Sequence, residues 1–167
     1  LLLKGVFKQK KLVEAALDKI TDMIIAVGKA YQNAGADFIT LREMATGSDL
    51  LSPRTWKTMI QPRVTRILEA WKSPKVLHIC GATDLIIEMM NECGADALSV
   101  DIKNNLTESR KKLGDDVLIF GNFDVFKLPC KEETTAEEAA EPVADLIPAA
   151  DEYVVDQGGE YGQRDDQ

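Results

Sequence analysis

Short, almost wholly apolar runs alternate along this chain with longer segments of helical periodicity, and this alternation most restricts its fold. Four of the runs are predicted to be β-strands, at residues 37–41, 75–80, 97–101 and 117–121. Strands that are apolar on both faces must be buried on both faces, which is typical of a parallel sheet covered by helices. The sequence therefore predicts an α/β fold built from βα units.

The segments between these runs carry the signals of helices. Apolar residues with helical spacing predict one long amphipathic helix over residues 9–33, and its proposed inner face consists of Leu12, Ala16, Ile20, Met23, Val27 and Tyr31. A second helix is predicted from residue 53 to residue 72, bent at Pro62 because proline lacks a backbone donor. The helix after Gly81 is predicted to place inward Leu85, Ile86, Met89 and Met90. Later elements are predicted to be helices at residues 106–113 and 134–148 and a strand at residues 152–155.

A short repeated motif supports a βα architecture. Gly-Ala-Asp follows a predicted helix and precedes a predicted strand twice, at residues 35–37 and 94–96. Such units build either an open doubly wound sheet or a closed (βα)8 barrel. No glycine-rich phosphate loop follows any strand, which disfavours nucleotide binding. Because four or five strands cannot close an eight-stranded barrel, we expect part of a TIM-type barrel, in residues 1–150.

Composition excludes some classes of partner. A formal net charge of −8 disfavours a nucleic-acid partner, which would need a basic face. No run reaches the roughly 20 apolar residues that cross a membrane. Three cysteines without a secretory signal predict a reducing, cytoplasmic setting. Residues 151–167 are expected to hold a candidate last strand and a polar, disordered tail.

Polar residues cluster where the predicted strands end, which is where parallel α/β folds place their functional groups. These residues are Arg42, Glu43, His78, Cys80, Asp101, Asn122 and Asp124. His78 and Cys80 lie two positions apart on one strand, so they face the same side. Imidazole and thiolate are preferred ligands of zinc, although a catalytic zinc normally takes three protein ligands. The spacing also fits a buried cysteine beside a hydrogen-bonded histidine.

The other candidate groups are less specific. Glu43 and Asp101 are predicted to be general bases, partners of the histidine or structural caps. Cys93 is expected to pack in the core, because it lies at the pole opposite the strand ends. Cys130 is predicted to lie in a loop beyond the fourth strand, on the same side of the sheet as the strand ends that carry the candidate site. Asn122 and Asp124 are predicted to contact a cofactor.

Three stretches of this sequence resemble the uroporphyrinogen decarboxylase superfamily, namely residues 77–81, 94–101 and 121–124. The loop at residues 48–53 is similar to that family as well, and the resemblance covers most of residues 10–147. It implies a (βα)8 barrel, of which this chain would be the C-terminal part.

Within that superfamily, the His-x-Cys pattern is similar to the zinc-dependent methylcobamide:coenzyme M methyltransferases. The resemblance implies that His78 and Cys80 bind zinc, and that the zinc activates a thiol such as coenzyme M. It also implies a methylated corrinoid, carried on a partner protein, as the methyl donor. That branch takes a third ligand, a cysteine, near the end of the chain, whereas residues 155–161 here contain none.

Two alternatives remain at this point. One is a decarboxylase acting on a tetrapyrrole, which would need arginines for the carboxylates of its substrate. The other is a non-catalytic half-barrel that binds a partner protein, or forms a homo-oligomer through its exposed edges.

Overall fold

The computed structural model describes residues 2–122 of the chain. In that range four strands form a parallel sheet in the order β1-β2-β3-β4. The strands are Ile39–Glu43 (β1), Lys75–Ile79 (β2), Ala97–Val100 (β3) and Leu118–Phe120 (β4). The spatial order of the strands equals their order in the chain, as in part of a βα barrel and unlike a doubly wound sheet. The predicted α/β class is confirmed.

Helices connect the strands. They are Leu2–Lys8 (α1), Lys10–Asn33 (α2), Pro53–Thr55 (α3), Gln61–Ala70 (α4), Ile87–Asn91 (α5) and Leu106–Leu113 (α6). None of the helices in residues 2–122 combines the length and the apolarity needed to span a membrane. The predicted helix at 134–148, the strand at 152–155 and the boundary at residue 150 lie outside the described range.

A π-helical turn over Trp56–Ile60, between α3 and α4, directly precedes the region of Pro62, where the sequence predicted a bend. The amide of Gln61 donates to the carbonyl of Trp56, five residues earlier instead of four. A proline ring collides with the carbonyl four residues before it, and one wider turn relieves this collision. Ser52 begins the helical segment by accepting a hydrogen bond from the amide of Thr55, at 3.2 Å.

The two faces of the sheet differ in their covering. One face packs against the helices, and its buried side chains are Ile39, Leu41, Leu77, Ile79, Leu98 and Val100. The opposite face lines an open cavity of about 830 Å³, to which each strand contributes its alternate residues. A closed barrel would enclose this face as its interior. The described residues thus form a helix-covered sheet whose other, concave face is open.

Two expectations about helix faces were wrong. The predicted inner stripe of α2 is largely exposed, with Leu12, Met23 and Tyr31 each more than 59% accessible. The helix packs instead through Val13, Thr21 and Gly28. Leu85, predicted to face inward, is also exposed. Helical spacing identifies a stripe of like residues, but it does not say which stripe of the helix meets a neighbouring element.

Gly28 is the position where α2 comes closest to the rest of the core. A Cβ atom built on Gly28 would lie 2.1 Å from Cε2 of Trp71. The Trp71 indole is buried, and its Nε1 donates to the carbonyl of Ile25 at 3.3 Å. The side chain of Trp71 therefore occupies the space that any larger residue at position 28 would need.

We expect Gly28→Ala to lower the free energy of unfolding by about 2 kcal/mol, because overpacking a filled core usually costs 1–3 kcal/mol. Alanine would otherwise stabilise a helix interior by about 1 kcal/mol. Urea unfolding followed by circular dichroism measures the difference, with the neighbouring exposed Lys29→Ala as the control. A Gly28→Ala variant as stable as the parent would contradict the packing described here.

Candidate metal centre

The parallel register places four side chains in one row across the open face of the sheet. Arg42 pairs with His78, His78 with Ser99, and Ser99 with Phe120. All four line the cavity, because alternate residues of a strand share a face. Cys80 and Asp101 follow two positions after His78 and Ser99, so they extend the same face toward the carboxyl edge.

His78 and Cys80 are in direct contact. Nε2 of His78 lies 3.1 Å from Sγ of Cys80, and Nδ1 lies 2.9 Å from Oγ of Ser99. If Nδ1 carries the ring proton and donates a hydrogen bond to Oγ of Ser99, the lone pair of Nε2 points toward Sγ of Cys80. This is the usual arrangement of a metal-binding histidine, whose second nitrogen is held by a neighbouring group.

The geometry of this pair fits zinc. Bonds of about 2.1 Å to nitrogen and 2.3 Å to sulfur at a tetrahedral angle separate the two ligand atoms by about 3.6 Å. The observed 3.1 Å is within a small side-chain rotation of that value. Within residues 2–122 no group of three potential ligands is assembled. His78 and Cys80 are therefore a candidate ligand pair.

The surroundings of His78 favour its neutral form. Burial lowers the pKa of His78 below 6.5, and the nearby Arg42 guanidinium lowers it further, while Asp101 acts in the opposite direction. Only a neutral imidazole can donate a lone pair to a metal. The neutral form of His78 is therefore favoured, which is the form that could bind a metal.

The titration of His78 provides a direct prediction for the metal-free chain. Because its folded pKa is depressed, the unfolded chain binds the proton more readily, so stability falls as the pH drops below about 6.5. His78 is the only histidine in the sequence, so its NMR signals need no further assignment. We expect a titration midpoint below 6.5, and a higher midpoint in Arg42→Gln. A midpoint at or above 6.5 in the unmodified chain would contradict this environment.

Asp101 organises the loops around the pair. Its carboxylate accepts from the amide of Gly81 at 3.0 Å and from the amide of Lys103 at 3.2 Å. The first of these bonds fixes the backbone directly after Cys80. Asn122, which was predicted to contact a cofactor, donates from Nδ2 to the carbonyls of Asp101 and Asn104, at 3.2 and 2.6 Å. Asp101 and Asn122 are thus brought together at this edge.

Glu43 lies apart from these groups. It follows Ile39 and Leu41 in the alternation of β1, so it belongs to the helix-covered face, and its carboxylate accepts from the amide of Ala45 at 2.7 Å. Cys93 is fully buried, its thiol donates to the carbonyl of Met89 at 3.2 Å, and burial raises its pKa to about 11. Asp124 and Cys130 lie outside the described residues.

Asn104 is a central residue that the sequence analysis missed. Its Oδ1 accepts from the backbone amide and the hydroxyl of Thr83, and its Nδ2 donates to the carbonyls of Gly81 and Asp101 at 3.0 and 2.8 Å. Asn104 and Thr83 are both buried. One side chain therefore joins the loop after β2 to the loop after β3, beside the candidate ligands.

A second missed pair joins a third loop to the same edge. Asp49, in the loop after β1, forms an ion pair of 2.9 Å with Lys103, which holds the pKa of Asp49 below its usual value. Its carboxylate lies against Gly47 and Gly81, where any Cβ would collide with it. Gly81 also has a φ of +90°, which favours glycine. The sequence signal that could have identified Asn104 and the Asp49–Lys103 pair was their position in loops that follow predicted strands.

Comparisons with known proteins place this arrangement in a family. The family model described as uroporphyrinogen decarboxylase (URO-D) matches residues 1–162. A methylcobamide:CoM methyltransferase MtaA of Methanosarcina barkeri is 36% identical over 121 residues, covering 72% of this chain and 36% of that protein. A methylated-thiol–coenzyme M methyltransferase of Methanosarcina mazei is 30% identical over 114 residues, covering 68% and 31%.

Decarboxylases and solved structures match as well. A uroporphyrinogen decarboxylase of Crocosphaera subtropica is 29% identical over 123 residues, covering 71% of this chain and 34% of that protein. A solved methyltransferase from Methanosarcina mazei superposes with a TM-score of 0.70 at 30% identity, covering 78% of this chain and 38% of that one. The chain thus spans about a third of the length of the relatives it matches. With the family model matching residues 1–162, this chain belongs to the uroporphyrinogen decarboxylase family and has part of that family's barrel fold.

Proposed function

We propose that this chain is part of a zinc-dependent methyltransferase that transfers a methyl group from a methylated corrinoid to a small thiol such as coenzyme M. The observation that carries the proposal is the contact between Nε2 of His78 and Sγ of Cys80 on the open face of the sheet. The names of two relatives, both coenzyme M methyltransferases, support the choice of acceptor. A separate corrinoid protein is the proposed partner, and the cytoplasm is the proposed location.

The residues of the chain have distinct roles in this proposal. His78 and Cys80 hold the zinc ion, and Ser99 fixes the imidazole ring through Nδ1. Zinc coordination deprotonates a thiol and keeps it as the nucleophilic thiolate at neutral pH. Asp101 is the proposed catalytic carboxylate, because it lies on the same face as the ligand pair. Glu43, the other predicted candidate, belongs to the helix-covered face and is not given a catalytic role.

The open face also supports access for large partners. The cavity of about 830 Å³ has one apolar wall, formed by Phe38, Leu118 and Phe120, each of which is exposed. Asn122 and Asp124 are the proposed contacts to the corrinoid. A second copy of the chain is a further proposed partner, because the exposed edge strands of a partial barrel carry unpaired backbone groups.

A second candidate function is decarboxylation of a tetrapyrrole, which the decarboxylase relative favours. That reaction requires several cationic groups for the substrate carboxylates. Within the described lining of the cavity, Arg42 is the single arginine, and Lys75 already donates to the carbonyl of Leu68 at 2.8 Å. The methyltransferase is therefore the better-supported proposal.

The test is proton release when a thiol is added to the zinc-loaded chain near pH 7. A free thiol with a pKa of about 8.5 is mostly protonated at that pH, so coordination as thiolate releases about one proton per thiol bound. Isothermal titration in two buffers of different ionisation enthalpy measures this number. Cys80→Ala serves as the negative control and Cys93→Ala as the matched cysteine control.

Two results would decide the proposal. Release of about one proton in the parent and in Cys93→Ala, lost in Cys80→Ala, would support thiol activation at this site. Thiol binding without proton release, or equal release in Cys80→Ala, would contradict it.

A further inference from the structure

We propose that Asp49 is a positioning residue for Cys80, and that it acts by holding the backbone turn at Gly81. Asp49 lies in the loop after β1, whereas Cys80 directly follows β2. This role rests on the proposed function, in which Cys80 holds a metal ion. It adds a residue that acts on the candidate ligand through the backbone.

The orientation of Cys80 depends on the turn that follows it. Cys80 lies just beyond the last residue of β2, so the pairing of the sheet holds it incompletely. Its amide donates to the carbonyl of Glu43 at 2.9 Å, which fixes one side of the residue. On the other side the chain turns at Gly81, whose φ of +90° is a conformation that favours glycine. The direction of the Cys80 thiol therefore depends on how firmly this turn is held.

Three side chains hold the turn at Gly81. Oδ2 of Asp101 accepts from the Gly81 amide at 3.0 Å, and Nδ2 of Asn104 donates to the Gly81 carbonyl at 3.0 Å. The carboxylate of Asp49 closes another side, since its Oδ1 lies 2.8 Å from the place that a Cβ on Gly81 would occupy. Asp101 and Asn104 thus fix the polar atoms of Gly81, while Asp49 limits the movement of its α-carbon.

Asp49 is itself anchored to the loops on either side. Nζ of Lys103 lies 2.9 Å from Oδ2 of Asp49, and the Lys103 amide donates to Oδ1 of Asp101 at 3.2 Å. The amide and the hydroxyl of Ser48 donate to the carbonyl of Ala82, at 2.7 and 2.8 Å. The Asp49–Lys103 ion pair thus completes a ring of contacts around the turn, and this ring joins the loops after β1, β2 and β3.

The ion pair is suited to a local role. The side chains of Lys103 and Asp49 are 58% and 35% exposed, and ion pairs this accessible add little to global stability. A binding site, however, needs its ligand atoms held to within about 0.5 Å. Loss of Asp49 should therefore disturb the position of the Cys80 sulfur more than it disturbs the fold.

The experiment measures how fast iodoacetamide alkylates each cysteine of the metal-free, full 167-residue chain, with the peptides resolved by mass spectrometry. Asp49→Asn keeps the shape of the side chain and removes its charge, and Lys103→Met removes the partner. Lys103→Arg keeps the ion pair. Glu108→Gln is the matched control, because Glu108 forms a comparable exposed ion pair with Lys111, at 2.7 Å.

We expect Cys80, which is half-buried, to react at least about threefold faster in Asp49→Asn and in Lys103→Met, because the released turn opens more often. Lys103→Arg and Glu108→Gln should react like the parent. Cys93 is the internal control, since it is fully buried and a general loosening of the fold would expose it as well. An unchanged rate at Cys80 in Asp49→Asn, or equal increases at Cys80 and Cys93, would overturn the proposal.

Zinc affinity, measured by competition with a chromophoric chelator, separates this role from the proposed function. If the parent binds zinc, Asp49→Asn should weaken binding by about tenfold, at the lower end of the effect of groups that support metal ligands. An unchanged affinity would overturn the role of Asp49 and leave the proposed function intact. If the parent binds no zinc, the proposed methyltransferase fails, and the alkylation rates alone decide whether Asp49 positions Cys80.

Discussion

Replacing Asn104 with alanine is expected to lower the free energy of unfolding by about 3 kcal/mol. The substitution removes four hydrogen bonds and leaves without partners the amide and hydroxyl of Thr83 and the carbonyl of Gly81, while the carbonyl of Asp101 keeps its bond from Nδ2 of Asn122. Each buried polar group that loses its partner costs about 1–3 kcal/mol, and water entering the vacated space recovers part of that cost. Urea unfolding of the two proteins measures the difference.

The adjacent residue provides a matched control. Asn105 begins α6 by accepting from the amide of Glu108 at 3.1 Å, so Asn105→Ala should cost about 1 kcal/mol, as for other helix caps. A loss in Asn104→Ala no greater than that in Asn105→Ala would show that Asn104 does not organise this edge of the sheet.

Replacing Cys80 with alanine is expected to weaken zinc binding by at least about a hundredfold. Removing a group that only supports a ligand already costs 10–100-fold, and Cys80 is proposed to supply a ligand atom itself. His78→Gln should weaken binding to a similar extent. Competition with a chromophoric zinc chelator measures the affinity.

Cys93→Ala is the control for this series, since Cys93 is buried on the helix-covered side and its thiol bonds to a carbonyl. We expect its zinc affinity to equal that of the parent. Unchanged affinity in Cys80→Ala, or equal losses in both cysteine variants, would contradict the assignment of Cys80 as a ligand.

Much of the fold could be predicted because strand and helix signals are local. The apolar runs became β1 to β4 with their ends displaced by one or two residues, and the repeated Gly-Ala-Asp became two equivalent turns. Gly35 and Gly94 have positive φ values of 94° and 81° there, where glycine is favoured. The exposed stripe on α2 could not be predicted, because spacing alone does not say which face meets a neighbour. Gly28 and Trp71 decide that question, and they are 43 positions apart in sequence.

The candidate site was likewise predictable only in part. His78 and Cys80 share a face because they are two positions apart on one strand, so their contact followed from the sequence. The partnership of His78 with Ser99 depends on the register between β2 and β3, which is a tertiary property. Asn104 was missed because an asparagine in a loop has no periodic signal, and only the folded loops reveal its four bonds. Glu43 was predicted to be a site residue because it follows a predicted strand. The alternation of side chains along β1 instead assigns it to the helix-covered face of the sheet.

The central claim is that His78 and Cys80 bind zinc together, and X-ray absorption at the zinc edge of the loaded chain tests it most directly. We predict a shell with sulfur at about 2.3 Å and imidazole nitrogen at about 2.1 Å, with one fewer sulfur in Cys80→Ala. A shell of oxygen and nitrogen alone in the parent, or a sulfur count that Cys80→Ala leaves unchanged, would contradict it.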